Sequence, residues 1–256
     1  MITSTSNERI KYVTSVVKNT KARRKEGVFV VEGEKMVQEI PSGILLECFV
    51  SEDFTPSAGF DPAGSLGQEP VVVSAGVFKK MSDTTTPQGI LCLCRQDRLT
   101  LSDLLSQRDK GGLKLLILEG IQDPGNLGTM IRTAEGAGFD AVIADENTVD
   151  VYNPKTIRST MGSLFRVPVI TVPDLYGAVS DLKRSSVTVY AAALDAMADF
   201  REEEYGMRLA FLIGNEGNGL SAGMIDAADR TVKIPIKGKL ESLNAAVAAA
   251  ILMYSV

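Results

Sequence analysis

Apolar residues along the chain fall into short runs separated by polar stretches, and the spacing within each run predicts an element. Residues 7–20 carry Ile10, Val13, Val16 and Val17 at helical intervals. Val28–Val31, Leu45–Val50, Val71–Val73 and Ile90–Cys94 read as strands, with helices over 33–40 and 76–81 and a Pro-, Gly- and Ser-rich loop over 51–70. Residues 1–95 are thus expected to form a small α/β/α domain. Residues 96–112, polar and ending in Gly111-Gly112, read as a linker. From 113 to 256, strands at 113–118, 141–144, 167–171, 187–193, 209–213 and 232–236 are interspersed with helical segments. Short Val-, Ile- and Leu-rich strands of that kind predict a parallel sheet covered on both faces. The last helix, Ala245 to Tyr254, carries no charge. It is expected to be buried on every side, in a core or against another subunit. Ser242 is its expected N-cap.

Composition narrows the chemistry. The chain has 256 residues, 45% hydrophobic and 23% charged, ordinary values for one large or two modest globular domains. Its polar N-terminus carries no secretory signal and no run reaches membrane-spanning length, so a cytoplasmic protein is expected. Cys48, Cys92 and Cys94 are too few for a disulfide framework and read as small core hydrophobes; no metal site is expected. The chain contains no histidine. That excludes His-based triads, His-ligated zinc and imidazole general bases. Charge is uneven: residues 1–35 hold eight basic and four acidic residues, a net of +4, which leaves −9 for the remainder of a chain of net −5. Lys21, Arg23, Arg24 and Lys25 form a cationic knot that either contacts phosphates or caps a solvated helix end.

Three polar segments each follow a strand, and ligands on parallel sheets bind beyond the carboxyl ends of strands. The first is Asn126-x-Gly128-x-x-x-Arg132-Thr133-Ala134, after the turn Asp123-Pro124-Gly125. Asn126 sits at a helix mouth, where its amide can cap and face a ligand. Arg132 lies within that helix and is either functional or one half of a surface salt bridge. The second segment is Gly214-Asn215-Glu216-Gly217-x-Gly219, whose glycines permit close backbone approach to a ligand. The third is Ile234-Pro235-Ile236-x-Gly238-x-x-Glu241-Ser242-Leu243-Asn244. Neither a P-loop nor a Gly-x-Gly-x-x-Gly fingerprint is present.

Together, over residues 113–256, these segments resemble the SpoU (TrmH-like) branch of the SPOUT RNA methyltransferases. The first 95 residues resemble, more loosely, the ribosomal-protein-like RNA-binding domain that precedes the catalytic domain in many of its ribosomal RNA members. The resemblance implies a C-terminal parallel-sheet domain threaded as a deep trefoil knot, and a homodimer. It also implies S-adenosyl-L-methionine as cofactor and methyl transfer to a ribose 2′-hydroxyl of RNA, most often ribosomal. By motif position, Leu194, Gly214, Asn215, Gly219, Ile234, Ile236 and Leu243 would hold the cofactor. Arg132 matches the catalytic arginine, and Asn126, Glu216, Ser242 and Asn244 match the supporting polar positions, with Glu216 expected to hold Arg132 or accept the proton. Lys21, Arg23, Arg24 and Lys25 would contact RNA. A serine usual in the last motif is replaced by Ala246. A transfer-RNA methyltransferase and a non-catalytic RNA-binding or ribosome-assembly protein are the alternative readings; the latter has no need of all five polar residues.

Overall fold

The computed structural model describes residues 1–107 and 111–256, and these form two compact units. The first comprises Met1–Asp97 together with Tyr152–Phe165; the second comprises Arg98–Val151 and Arg166–Val256. In chain order the elements are α1 (Glu8–Lys18), α2 (Thr20–Glu26), β1 (Val28–Glu32), α3 (Glu34–Val37), β2 (Leu45–Ser51), α4 (Pro62–Leu66), β3 (Val71–Val73), α5 (Ala75–Met81) and β4 (Ile90–Arg95). They continue as α6 (Leu101–Gln107), β5 (Leu113–Leu118), α7 (Pro124–Gly136), β6 (Ala141–Asp145), α8 (Pro154–Thr160), β7 (Val169–Val172) and α9 (Leu175–Arg184). The chain ends with β8 (Thr188–Ala192), β9 (Ala198–Asp199), β10 (Arg208–Ile213), α10 (Ala222–Ala227), β11 (Arg230–Lys233) and α11 (Ala245–Met253).

In the first unit a four-stranded sheet, ordered β1-β4-β2-β3, separates two apolar layers. Ile10, Val13, Val16 and Val17 of α1 pack with Val77, Phe78 and Met81 of α5 on one face. Phe29, Val31, Met36, Val37, Ile90 and the three cysteines fill the other. The cysteines are buried free thiols; a hydrogen bond with Cys48 and burial push the Cys92 thiol up, and burial does the same to Cys94. This is the inert core role expected of them. Arg23 departs from expectation. Only 2% exposed, it turns inward, and its Nη1 donates to the Val16 and Val17 carbonyls at 2.8 and 2.9 Å while Nη2 donates to Thr20 Oγ1 at 2.9 Å. It closes the C-terminal turn of α1, leaving Lys21, Arg24 and Lys25 exposed on α2.

The second unit is built on seven strands, all paired in parallel, in the order β7-β6-β5-β10-β8-β11-β9. Alternate residues serve opposite layers: Leu113, Leu115 and Ile117 of β5, with Ala210 and Leu212 of β10, join the cluster containing Leu175, Val179 and Leu182 of α9. On the other layer α7 packs against α11, and α11 against β10. Residues 96–112, expected as a linker, contain α6, whose Leu101 and Leu104 are buried in the α9-side core. One apolar turn outweighs the polar residues around it. The remaining linker positions 108–110 lie outside the described residues. Among the described residues no helix is long and apolar enough to cross a membrane.

The strand order turns at β5 and β10. The chain leaves β5 toward β6 and β7 on one side, while β8, β11 and β9 lie on the other. The loops that follow β5 and β10 are therefore neighbours at the carboxyl edge, where a crevice opens in such sheets.

Candidate active site

At this edge the chain builds a cavity of about 300 Å³, within the range of small-molecule sites. Its walls are Ala192–Leu194 after β8, Ile213–Gly219 after β10, and Val232, Ile234, Ile236, Glu241, Ser242 and Leu243 on the way into α11. All seven residues expected to hold the cofactor line it, namely Leu194, Gly214, Asn215, Gly219, Ile234, Ile236 and Leu243. Gly214 leaves no alternative residue at its position: a Cβ there would lie 2.2 Å from the Gly219 carbonyl carbon and the Leu220 nitrogen, backbone that cannot rotate away.

The 214–219 loop is pinned throughout. Asn215 and Gly219 exchange backbone hydrogen bonds of 3.0 and 2.9 Å. Asn215 Oδ1 accepts from the amides of Gly217 and Asn218, and its Nδ2 donates to the Gly120 carbonyl at 2.7 Å. Gly219 takes φ +67, which an L side chain would resist.

Glu216 ties the loop to the first segment. Its carboxylate accepts from the Gln122 amide at 2.9 Å, and from the Asp123 amide and Asn126 Nδ2 at 3.0 Å each. Asn126 Oδ1 in turn accepts from Asn244 Nδ2 at 3.1 Å. Four of the five expected catalytic positions lie in or beside this arrangement. Glu216, Asn126 and Asn244 form one hydrogen-bonded chain; Ser242 lines the cavity without a hydrogen-bond partner among the described residues. Burial pushes the Glu216 carboxyl up, but the donors from Asn126, Gln122 and Asp123 outweigh it and hold the group below the usual glutamate value. A carboxylate whose charge is spent on three donors is a weak base.

Three expectations are corrected here. Glu216 holds Asn126 and the 122–123 amides, not Arg132. The cap of α11 is Asn244, whose Oδ1 accepts from the Ala246 and Val247 amides, because helical angles begin at Ala245 and leave Ser242 two positions too early. α7 is capped by Asp123, so Asn126 lies inside the first turn with its side chain free for Glu216.

Arg132 is exposed and makes no hydrogen bond or ion pair among the described residues, so the salt-bridge alternative has no partner. Nor does it line the cavity. Six residues beyond Asn126, it points about 240° around α7 from it. In the single chain, Ala245, Ala246, Ala249, Leu252 and Met253 are buried, while Val247 and Tyr254 are 48% and 66% exposed, so the core alone does not cover this helix on every side.

Other strand-end carboxylates escaped the sequence reading. Asp145 Oδ1, at the end of β6, accepts from the Gly120 amide and from the amide and hydroxyl of Thr148; Glu119, after β5, accepts from the amide and hydroxyl of Ser221. Each holds a loop that flanks the cavity. Their position at strand ends on the carboxyl edge was the available signal. Among the described residues no group of His, Cys, Asp or Glu side chains is arranged to hold a metal ion.

Comparison with known proteins identifies the family of the chain. Residues 7–92 match the MRM3-like substrate binding domain. The chain is 37% identical over 236 residues to the 23S rRNA (guanosine(2553)-2'-O)-methyltransferase RlmP of Bacillus subtilis, spanning 91% of this chain and 90% of that one. The AdoMet-bound rRNA methyltransferase of Sinorhizobium meliloti superposes with a TM-score of 0.84 at 27% identity, over 99% of this chain and 95% of that one. The SpoU methyltransferase AviRb of Streptomyces viridochromogenes gives 0.85 at 23% identity over 97% and 96%, a likeness of fold alone. Residues 114–254, which hold the cavity and all three polar segments, match the SpoU rRNA Methylase family, and the chain belongs to that family.

Proposed function

We propose that the protein transfers a methyl group from S-adenosylmethionine to a ribose 2′-hydroxyl of ribosomal RNA. The observation that carries this reading is the hydrogen-bonded chain from the 122–123 amides through Glu216 and Asn126 to Asn244. It locks the three polar segments together beside a cavity of cofactor size. The cavity residues suit the cofactor: Leu194, Ile234, Ile236 and Leu243 offer apolar contact, and the backbone of 214–219 offers polar groups at close approach. The cofactor supplies an electrophilic methyl, so the protein's task is to orient and activate a weakly acidic hydroxyl.

With no histidine and with Glu216 spent, the charge developing on the ribose oxygen needs a cation. Arg132 is the residue for that role; always protonated, it binds the adjacent phosphate and stabilises the alkoxide rather than acting as a resting base. Asn126, held from both sides by Glu216 and Asn244, orients the ribose. The exposed Val247 of α11, which packs beside α7, and the exposed Tyr254 just after it favour a homodimer through this layer, which brings Arg132 to a shared face. The chain passes along the cavity three times, at 192–194, 213–219 and 232–243, an arrangement that suits the trefoil knot of the family. Lys21, Arg24 and Lys25 contact RNA phosphate from the first unit without specifying sequence. A domain division at the first unit and the cytoplasmic location belong to the same reading.

Labelled S-adenosylmethionine and ribosomal RNA from a strain lacking the protein test it. Label in a 2′-O-methylnucleoside, identified by mass spectrometry, is the expected result. Label on a base overturns the ribose chemistry; absence of both label and cofactor binding overturns the enzyme.

A further inference from the structure

Side chains shape the turn that follows β5. Four successive backbone amides, from Gly120 to Asp123, each donate to a side-chain oxygen. Gly120 donates to Asp145 Oδ1 at 2.9 Å and Ile121 to Thr148 Oγ1 at 3.2 Å. Gln122 and Asp123 donate to the two carboxylate oxygens of Glu216. One half of the turn is therefore held from the end of β6, the other from the loop after β10. The two halves are not independent, because consecutive peptide planes are joined through only two soft dihedrals per residue.

The hold from β6 is buried and directional. Asp145, Thr148 and Ile121 are all buried, and none of them lines the cavity. Asp145 Oδ1 accepts from the Thr148 amide at 3.0 Å and from its hydroxyl at 2.7 Å. A hydroxyl has one proton to donate. With that proton on Asp145, the Thr148 oxygen is left to accept, and the donor it meets is the Ile121 amide. The Val149 amide closes the same junction on the Ile121 carbonyl at 2.8 Å. Asp145 thus sets the direction of one hydroxyl, and that hydroxyl holds the amide just before the two that meet Glu216.

We propose that Thr148, oriented by Asp145, is a positioning residue for methyl transfer. It acts through the backbone of 121–123 on Glu216, and through Glu216 on the ribose-orienting Asn126. The proposal rests on the methyltransferase reading above. A buried amide without a partner is costly, so the turn that loses this hydroxyl gives way, and Glu216 no longer meets both of its amides in place. Methyl transfer is sensitive to such a shift, a misplacement of about 1 Å costing up to about a hundredfold.

The test measures turnover of the full chain on ribosomal RNA, with kcat expressed per bound S-adenosylmethionine so that unfolded protein does not count. Thr148→Val keeps the shape of the side chain and removes the hydroxyl. It should lower kcat about five- to tenfold, with the RNA KM and S-adenosylmethionine affinity unchanged. Thr148→Ser restores the hydroxyl and should return kcat to within about twofold of the parent. Combined with Glu216→Gln, Thr148→Val should cost less than the product of the two single losses by at least about threefold, because both act on one turn. Should Thr148→Val fail to fold, Asp145→Asn decides. It weakens the charged acceptor without changing its shape, and should lower kcat about threefold with the same unchanged KM and affinity. Losses that multiply in full, or turnover unchanged in both Thr148→Val and Asp145→Asn, would overturn the positioning role while leaving the methyltransferase reading intact. A wild-type protein without activity would overturn that reading instead.

Discussion

Two glycine-bearing loops face the same cavity and are built in opposite ways. Residues 214–219 are tied by the Asn215–Gly219 bridge, by both ends of the Asn215 side chain and by the three donors on Glu216. Residues 237–243 make no hydrogen bond or ion pair among the described residues, and Leu240 is 68% exposed. One wall is fixed by its own hydrogen bonds; the other makes none among the described residues. Preorganised donors cost nothing to rearrange when charge develops, so the pinned wall serves chemistry. An unpinned wall admits a ligand and takes its order from binding it.

The largest effect expected separates chemistry from both walls. Arg132→Ala should lower kcat by about 10²–10³ and leave S-adenosylmethionine affinity unchanged, since Arg132 touches neither loop. Arg132→Lys should also lose turnover, because a lysine ammonium cannot reproduce the two-point hold of a guanidinium on phosphate; near-normal turnover would show that any cation suffices there. Next comes the glycine of the pinned wall. Gly214→Ala drives a Cβ into the 219–220 backbone, and should cost about 1–3 kcal/mol of stability together with at least about a tenfold loss in cofactor affinity by calorimetry.

Glu216→Gln sharpens the comparison through pH. It should lower turnover about tenfold by weakening three hydrogen bonds to a charged acceptor. Because the folded-state value lies below the ordinary one, the carboxylate stabilises the fold above the unfolded glutamate value of about 4.3. That contribution is lost as pH falls through the folded value. The difference in Tm between wild type and Glu216→Gln should therefore hold steady above about pH 5 and close on acidification. The smallest effect belongs to the open wall. A Cβ at Gly238 meets nothing within 4 Å, so Gly238→Ala should change stability by less than about 0.5 kcal/mol. A large loss there would erase the contrast between the loops.

The two walls also differ in what the sequence disclosed. The motif residues of both loops were legible because glycine and asparagine after short apolar runs have few other uses. The partners of Glu216 were not, since Gln122 and Asp123 act through backbone amides that carry no side-chain signature. Arg23 was misread as an RNA contact because a run of cations looks uniform in sequence; only the fold shows which of them meets the free carbonyls of α1. α6 was missed among polar neighbours although Leu101 and Leu104 stand at helical spacing. Residues 152–165 could not have been assigned to the first unit from chain order, because the contact between Phe29 and Tyr152 spans a hundred-odd positions of intervening sequence.

Amide hydrogen exchange with and without S-adenosylmethionine tests the division of labour most directly. The account predicts that the amides of Gln122, Asp123, Gly217, Asn218 and Gly219 are protected in both states. Those of 237–243 should exchange freely without cofactor and slow by about a hundredfold at a cofactor concentration of about 100 times its Kd. Free exchange at Gln122 and Asp123 in the absence of cofactor, or unchanged exchange at 237–243 in its presence, would contradict it.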